Sequence, residues 1–229
     1  MTRTATPKEM FDRETSEHEM EILHDDGVYR HLKFAKPGTN IWRFDLVTWP
    51  GHLAVSGDLS SYTFNSLYDM FEFFGGDREI NPHYWAEKVV AGRERTMEYS
   101  PELAKRHVIE RFWEDRLQRD EPNGPLWRAI REEVFEYLED ENEARRAIND
   151  FTYRIPEPPR ETGVDFRPER IRKYRDHRVD YQFTDTWEWD LRDYDGQFIL
   201  ICHAIAWGIK QYRAATPNQN QNQTPAENP

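Results

Sequence analysis

The sequence predicts an α+β fold, in which a small antiparallel β-meander packs against several helices and a buried C-terminal helix closes the core. Three observations point to it. Between Val28 and Phe64, short runs of aromatic and branched residues alternate with Pro-Gly and Gly-Asp pairs, the pattern of strands joined by tight turns. From Ser66 onward, apolar residues recur at spacings of three and four behind capping residues. Phe198 to Tyr212 is apolar on nearly every side, which marks a helix enclosed by other elements.

Taken in order, residues 1–8 hold little that can pack and read as disordered. Glu9 to Asp26 carries Phe11, Met20, Ile22 and Leu23 among strong helix formers and ends at Gly27, so one amphipathic helix is expected there. The strands follow as Val28–Phe34, Ile41–Thr48, His52–Val55 and Tyr62–Phe64. Lys36-Pro37-Gly38 and Trp49-Pro50-Gly51 suit type II turns, because proline presets the first φ and glycine accepts the positive second one. In the second strand Trp42, Phe44, Leu46 and Thr48 should share one face, and Ile41, Arg43, Asp45 and Val47 the other.

Helices are expected at Ser66–Phe74, from Asn81-Pro82 toward Gly92, from Ser100-Pro101 to about Arg119, and from Asn123-Gly124-Pro125 through Leu138. Pro156, Pro158 and Pro159 interrupt the pattern near 155–165, a linker or surface strap. Thr186 to Leu191 alternates with period two like an edge strand. Residues 9–213 therefore read as a single domain, followed by an Asn/Gln-rich disordered tail at 214–229.

Composition narrows the function. Of 229 residues, 37% are hydrophobic and 14% aromatic, enough for a compact core because each aromatic buries a large area. A single cysteine, Cys202, leaves no intrachain disulfide framework and no multi-cysteine zinc site, and suits a reducing cytoplasm. No segment is long and apolar enough to suggest a membrane span, and Met1 to Met10 lacks the apolar core of a secretory signal. The formal charge of −12 opposes general binding of phosphate backbones. Nothing in the sequence signals an oligomeric state or a cofactor.

Several groups of residues could carry chemistry. His52 and Asp58 near the meander turns are the weak catalytic candidates, since a histidine oriented by an aspartate is the minimum of a general base. They sit at opposite ends of one short strand, however, so turn formation is the simpler role. The histidines show no ligand spacing, and no metal site is expected. His203 and Cys202 read as core residues of the last helix. The stretch Arg160 to Arg178, with Arg170, Arg172 and Arg175 at its centre, is where an anion or a nucleic acid would bind through arginine forks and aromatic stacking. An intramolecular match to the acidic segments flanking it is the competing account.

The acidic signal is stronger. Glu132, Glu136, Asp140 and Glu143 recur at helical spacing and would form one charged face opposite the apolar stripe. Asp180, Asp185, Glu188, Asp190, Asp193 and Asp195 border Trp187 and Trp189. Such faces are commonly solvated surface. The functional alternative is a binding surface that imitates nucleic-acid charge, anchored by the two tryptophans.

Six segments also carry a likeness. They are Phe44-Asp45-Leu46-Val47-Thr48-Trp49-Pro50-Gly51, Ser56-Gly57-Asp58, Asp69-Met70-Phe71-x-Phe73-Phe74, Asn81-Pro82-x-Tyr84-Trp85-x-Glu87-Lys88, Trp187-x-Trp189, and Cys202-x-Ala204-Ile205-x-Trp207-Gly208-Ile209. Together, over roughly residues 10 to 213, they resemble a family of accessory proteins encoded by tailed bacteriophages and prophages, for which no activity is established. The resemblance implies a phage origin and the cytoplasm of a bacterial host. With the acidic surface it leads to the expectation of a non-enzymatic protein that binds a bacterial host protein, as an inhibitor of defence or metabolism. The alternatives are a small enzyme or nucleotide-binding protein with its pocket near the meander turns, and a nucleic-acid-binding factor using residues 160–178.

Overall fold

The computed structural model describes residues 5–75, 79–116, 123–154 and 180–217. Its architecture is α+β, as the alternating and helical periods predict. Where the sequence reads as one domain over 9–213, contacts divide the chain into two compact units. The first comprises residues up to Glu98 and from Tyr194 onward; the second comprises Tyr99–Asp193.

In the first unit, helix α1 (Pro7–Glu14) precedes the strands β1 (Glu19–Asp26), β2 (Tyr29–Ala35), β3 (Phe44–Trp49), β4 (His52–Gly57) and β5 (Tyr62–Asn65). Short helices α2 (Met70–Phe74) and α3 (Pro82–Ala86) follow, then β6 (Val89–Ala91). The six strands lie in sequence order, β1 through β6, and every neighbouring pair is antiparallel.

The meander forms because its turn chemistry and its alternation agree. Pro37-Gly38 is a turn closed by the Thr39 amide on the Lys36 carbonyl at 3.2 Å, with Gly38 at φ 82°. Pro50-Gly51 joins β3 to β4 with Gly51 at φ 76°, as a type II turn requires of its second central residue. On the inner face Leu32, Phe34, Phe44, Leu46, Leu53, Val55, Tyr62 and Phe64 are all buried. Against them lies the long terminal helix α7 (Gly196–Ala215), which buries Phe198, Ile201, Ile205 and Ile209. At Gly208 a side chain would come within 2.8 Å of Leu46 and 3.0 Å of Phe34, so glycine sets how near the helix can lie to the strands. Helices α1, α2 and α3 flank α7.

The expected helix over Glu9–Asp26 is corrected. Thr6 caps a shorter α1 that begins at Pro7, inside the segment expected to be disordered, and Thr15 ends it by bonding the Phe11 carbonyl. The remainder becomes β1, because Met20 and Ile22 pair with Phe34 and Leu32 and complete the inner face. Pairing with a neighbour outweighs helical propensity here. Gly27, expected as a helix terminator, instead takes φ 61° at the first of two loop residues between β1 and β2.

Smaller corrections follow the same logic. Trp42 adopts φ 60° and lies outside β3, so the inner-face alternation starts at Phe44. The Ser66–Phe74 helix is confined to α2, capped by Asp69, and Leu67 is exposed. The helix after Asn81 stops at Ala86, leaving Val89 to begin a strand.

The second unit holds α4 (Pro101–Arg116), α5 (Asn123–Glu133), a 3-10 turn at Phe135–Tyr137, and α6 (Glu141–Asp150). Ala104, Val108 and Phe112 of α4, Leu126 and Ile130 of α5, and Ala144 and Ile148 of α6 share its core with Phe151, Tyr181, Phe183 and Leu191. The chain leaves the first unit along β7 (Met97–Tyr99) and returns along β8 (Arg192–Tyr194), two strands that pair with each other. The Pro-rich span 155–165 and the tail from residue 218 lie outside the described residues.

Candidate functional site

The acidic residues expected on one helical face are distributed differently. Glu132 lies in the last turn of α5, Glu136 sits in the 3-10 turn, Asp140 is the N-cap of α6, and Glu143 lies in its first turn. The single helix gives way to the 3-10 turn at Phe135–Tyr137, with Val134 and Leu138 on either side of it still in the core, and Asp140 starts a new helix by accepting from the amides of Asn142 at 2.9 Å and Glu143 at 3.1 Å. All four carboxylates remain exposed. Asp140 is thus a structural cap, while the Glu132, Glu136 and Glu143 carboxylates face solvent.

Trp187 and Trp189 are not on an edge strand. Asp185 takes a left-handed φ of 56° and Thr186–Glu188 forms a 3-10 turn, which sends the two indoles apart. Trp189 is half-buried, packed on the second core and stacked on His107 at 5.6 Å. Trp187 stands 78% exposed. The turn that holds it is fastened: the Thr186 hydroxyl donates to Asn149 of α6 at 2.6 Å, and the His107 Nε2 bonds the Asp190 carbonyl at 3.0 Å. Asp185, Glu188 and Asp190 around it are exposed. A large indole held in solvent on a pinned turn among carboxylates is suited to dock on a partner that offers an apolar pocket rimmed with bases.

His52 and Asp58 are not brought together. Asn65 donates through its amide nitrogen to the Gly51 carbonyl at 2.9 Å and to His52 Nε2 at 3.1 Å, so that Nε2 accepts and Nδ1 donates to the Pro50 carbonyl at 3.0 Å. The ring also stacks on Trp49 at 5.0 Å. Asp58 meanwhile accepts the Trp42 amide at 2.8 Å. Each holds its own turn, and both ring nitrogens of His52 are engaged by neighbouring groups.

Two charged clusters in the first unit have no local sequence motif. On the outer sheet face, Arg43 binds Asp45 through Nε at 3.0 Å and through a terminal nitrogen at 3.1 Å, and His31 adds a contact at 2.9 Å. Burial pushes the Asp45 carboxyl up, but Arg43 and His31 outweigh it and hold the group below its ordinary value. On the inner face, Arg30 forms a two-point bond to Asp69, 2.9 Å at each contact, beneath the rings of Phe71 and Tyr212. The bulge at Leu23 turns Asp25 inward to accept the Tyr212 hydroxyl at 2.9 Å. Only the His31–Asp45 contact follows from strand pairing, that of β2 with β3; Arg30 meets Asp69 at the start of α2, and Arg43 meets Asp45 two residues along the chain.

In α7, burial raises the Cys202 thiol far above its ordinary value, which suppresses the thiolate. The His203 imidazole is lowered, first by burial and then by Lys8, with Asp12 working the other way. A histidine that holds its proton less tightly when folded takes up a proton on unfolding, so its contribution to stability falls as the pH drops below the unfolded value of about 6.5. Acidification from pH 7.5 to 5 is therefore expected to lower the urea midpoint more in the native protein than in His203→Gln. Equal slopes would remove His203 from the titration.

Among the described residues, no group of three or more His, Cys, Asp and Glu is placed to hold a metal ion. No helix among them is long and apolar enough to cross a membrane. Arg170, Arg172 and Arg175, with the whole of the basic stretch 160–178, lie outside the described residues. Comparison of the chain with protein-family models, with curated proteins and with solved structures finds no match in any of the three.

Proposed function

We propose that this is a binding protein without catalytic activity, which docks Trp187 and its surrounding carboxylates onto a basic surface of another protein. The observation that carries this reading is the solvent-facing indole of Trp187 on a turn fixed by Thr186 and Asn149, since leaving a tryptophan in water forgoes the burial that normally favours it. The formal charge of −12 adds long-range attraction to a basic partner and repels nucleic acid. The resemblance to accessory proteins of tailed phages is the reason for seeking that partner in the cytoplasm of a bacterial host, as a target of inhibition. The arrangement of His52, with both ring nitrogens occupied, is the reason for setting the enzymatic reading second.

The test is capture of a basic host protein, followed by affinity measurement with defined variants. Trp187→Ala is expected to weaken binding by about 30-fold or more, as for an interface anchor, while leaving the melting curve unchanged. Glu132, Glu136 and Glu188 changed to lysine should do the same through like-charge repulsion. Asp140 is excluded from that set because it caps α6. Binding that survives both variants at full strength would overturn the reading. So would a bound small molecule turned over by the native protein and not by His52→Ala.

A further inference from the structure

We propose that the outer edge of β1, which pairs with no further strand among the described residues, docks an extended segment of another protein in which lysine or arginine alternates with apolar residues. The sheet has two edges of unequal length, β1 with eight residues and β6 with three. An edge strand presents a row of unpaired backbone N–H and C=O groups, which a further strand can complete. The C-terminal half of β1 is guarded by the bulge at Leu23. Glu19 to Ile22 is regular and continuous, with neither bulge nor proline.

The side chains of that half define what fits. On the inner face Ile22 pairs with the fully buried Leu32 yet remains 41% exposed, and Met20 beside Phe34 is half-buried. The core layer therefore ends unfinished at the edge, and an apolar residue opposite each of these two would extend it. On the outer face stand Glu19, exposed, and Glu21, which already binds Lys33 of β2 at 2.9 Å. Cross-strand neighbours of opposite charge are favoured, so the same partner needs bases at the intervening positions. Along this half runs an open cleft of about 520 Å³ between Glu19, Met20 and Glu21, Lys33 and Ala35, and the Lys36–Asn40 turn, with room for a long side chain from the incoming strand.

A second copy of the chain is a poor occupant. Antiparallel pairing of Glu19–Ile22 with its own copy about Glu21, the register that keeps the inner faces together, would oppose Glu21 to Glu21, and parallel pairing would stack like acids. This surface lies in the first unit and is independent of Trp187 in the second.

The experiment uses the full chain and three fluorescein-labelled ten-residue peptides: one alternating lysine and valine, one of the same composition with its lysines in a single block, and one alternating glutamate and valine. The alternating lysine peptide should bind, with slowed amide exchange at Glu19–Ile22, and the block peptide should bind at least about tenfold more weakly. Glu19→Lys together with Glu21→Lys should reverse the preference toward the glutamate peptide. Glu19→Lys alone, which disturbs no ion pair among the described residues, should shift it the same way if the double variant melts early. Ile22→Thr should weaken binding severalfold with the charge preference intact. Equal binding of the block peptide would reduce the effect to net charge and overturn the proposal. Absence of binding, or a dimer that protects the same amides, would overturn it too.

Discussion

Asp69→Ala is expected to cost about 3 to 5 kcal/mol of stability, the range for removing one partner of a buried ion pair. The Arg30 side chain is 6% exposed and that of Asp69 11%, and two 2.9 Å bonds join them. Alanine would strand a guanidinium between the rings of Phe71 and Tyr212, where Nε is already buried without a partner. It would also remove the cap of α2, since Asp69 accepts the Phe71 amide at 2.9 Å. Asp69→Asn keeps a capping oxygen and should lose less. Replacing both partners, Arg30→Met with Asp69→Asn, should recover more than half of the loss, because an apolar side chain leaves no charge to satisfy. Urea titration of the three variants measures this. A loss below about 1 kcal/mol in Asp69→Ala would place the pair in the range of solvent-screened surface bridges.

Trp207→Ala is expected to cost about 3 kcal/mol, the lower end of the range for deleting a packed aromatic. Its indole meets Phe11 at 6.0 Å, Phe34 at 5.4 Å and Phe44 at 6.2 Å, each edge to face. It thus joins α1, two strands and α7 in one cluster. Trp207 is half-buried, where the run of apolar residues predicts full burial, which sets the expected loss at the lower end. Trp187→Ala is the control: the same truncation in solvent should stay within about 0.5 kcal/mol. Thermal and urea melts of the two variants compare them directly. Similar losses at both positions would contradict the division between a core tryptophan and a presented one.

A sequence displays those interactions whose partners lie close together along the chain. The strands β2 to β5, the Pro-Gly turns, the Asn81 and Ser100 starts and the apolar α7 were legible because each is a local pattern with a local physical cause. β1 was not, because Glu9 to Asp26 is rich in helix formers and its strand half owes its state to β2 across the turn at Gly27. The acidic face failed for a related reason. Periodicity continues from Glu132 to Glu143, but the helix gives way to a 3-10 turn at Phe135–Tyr137 and restarts behind the Asp140 cap, the one local sign of the break. The exposure of Trp187 depends on the left-handed Asp185, a conformation no composition signals. Arg30 with Asp69, and His31 with Asp45, depend on chain crossings that bring distant residues together, whereas Arg43 and Asp45 are near neighbours that strand alternation already placed on one face.

Because the Tyr99–Asp193 unit interrupts the other, β1 to β6 are synthesised well before α7, the helix that covers their inner face. On the ribosome the sheet must wait, its Phe34, Phe44, Leu46 and Phe64 face open, until about a hundred further residues have been made, an interval of roughly 5 to 20 s at typical elongation rates. The intervening unit carries its own core and can collapse in that interval, whereas among the described residues the sheet has α1, α2 and α3 for cover. A nascent chain stalled near Asp193 should therefore be a strong client for chaperones that bind apolar surface, and completion of α7 should release it.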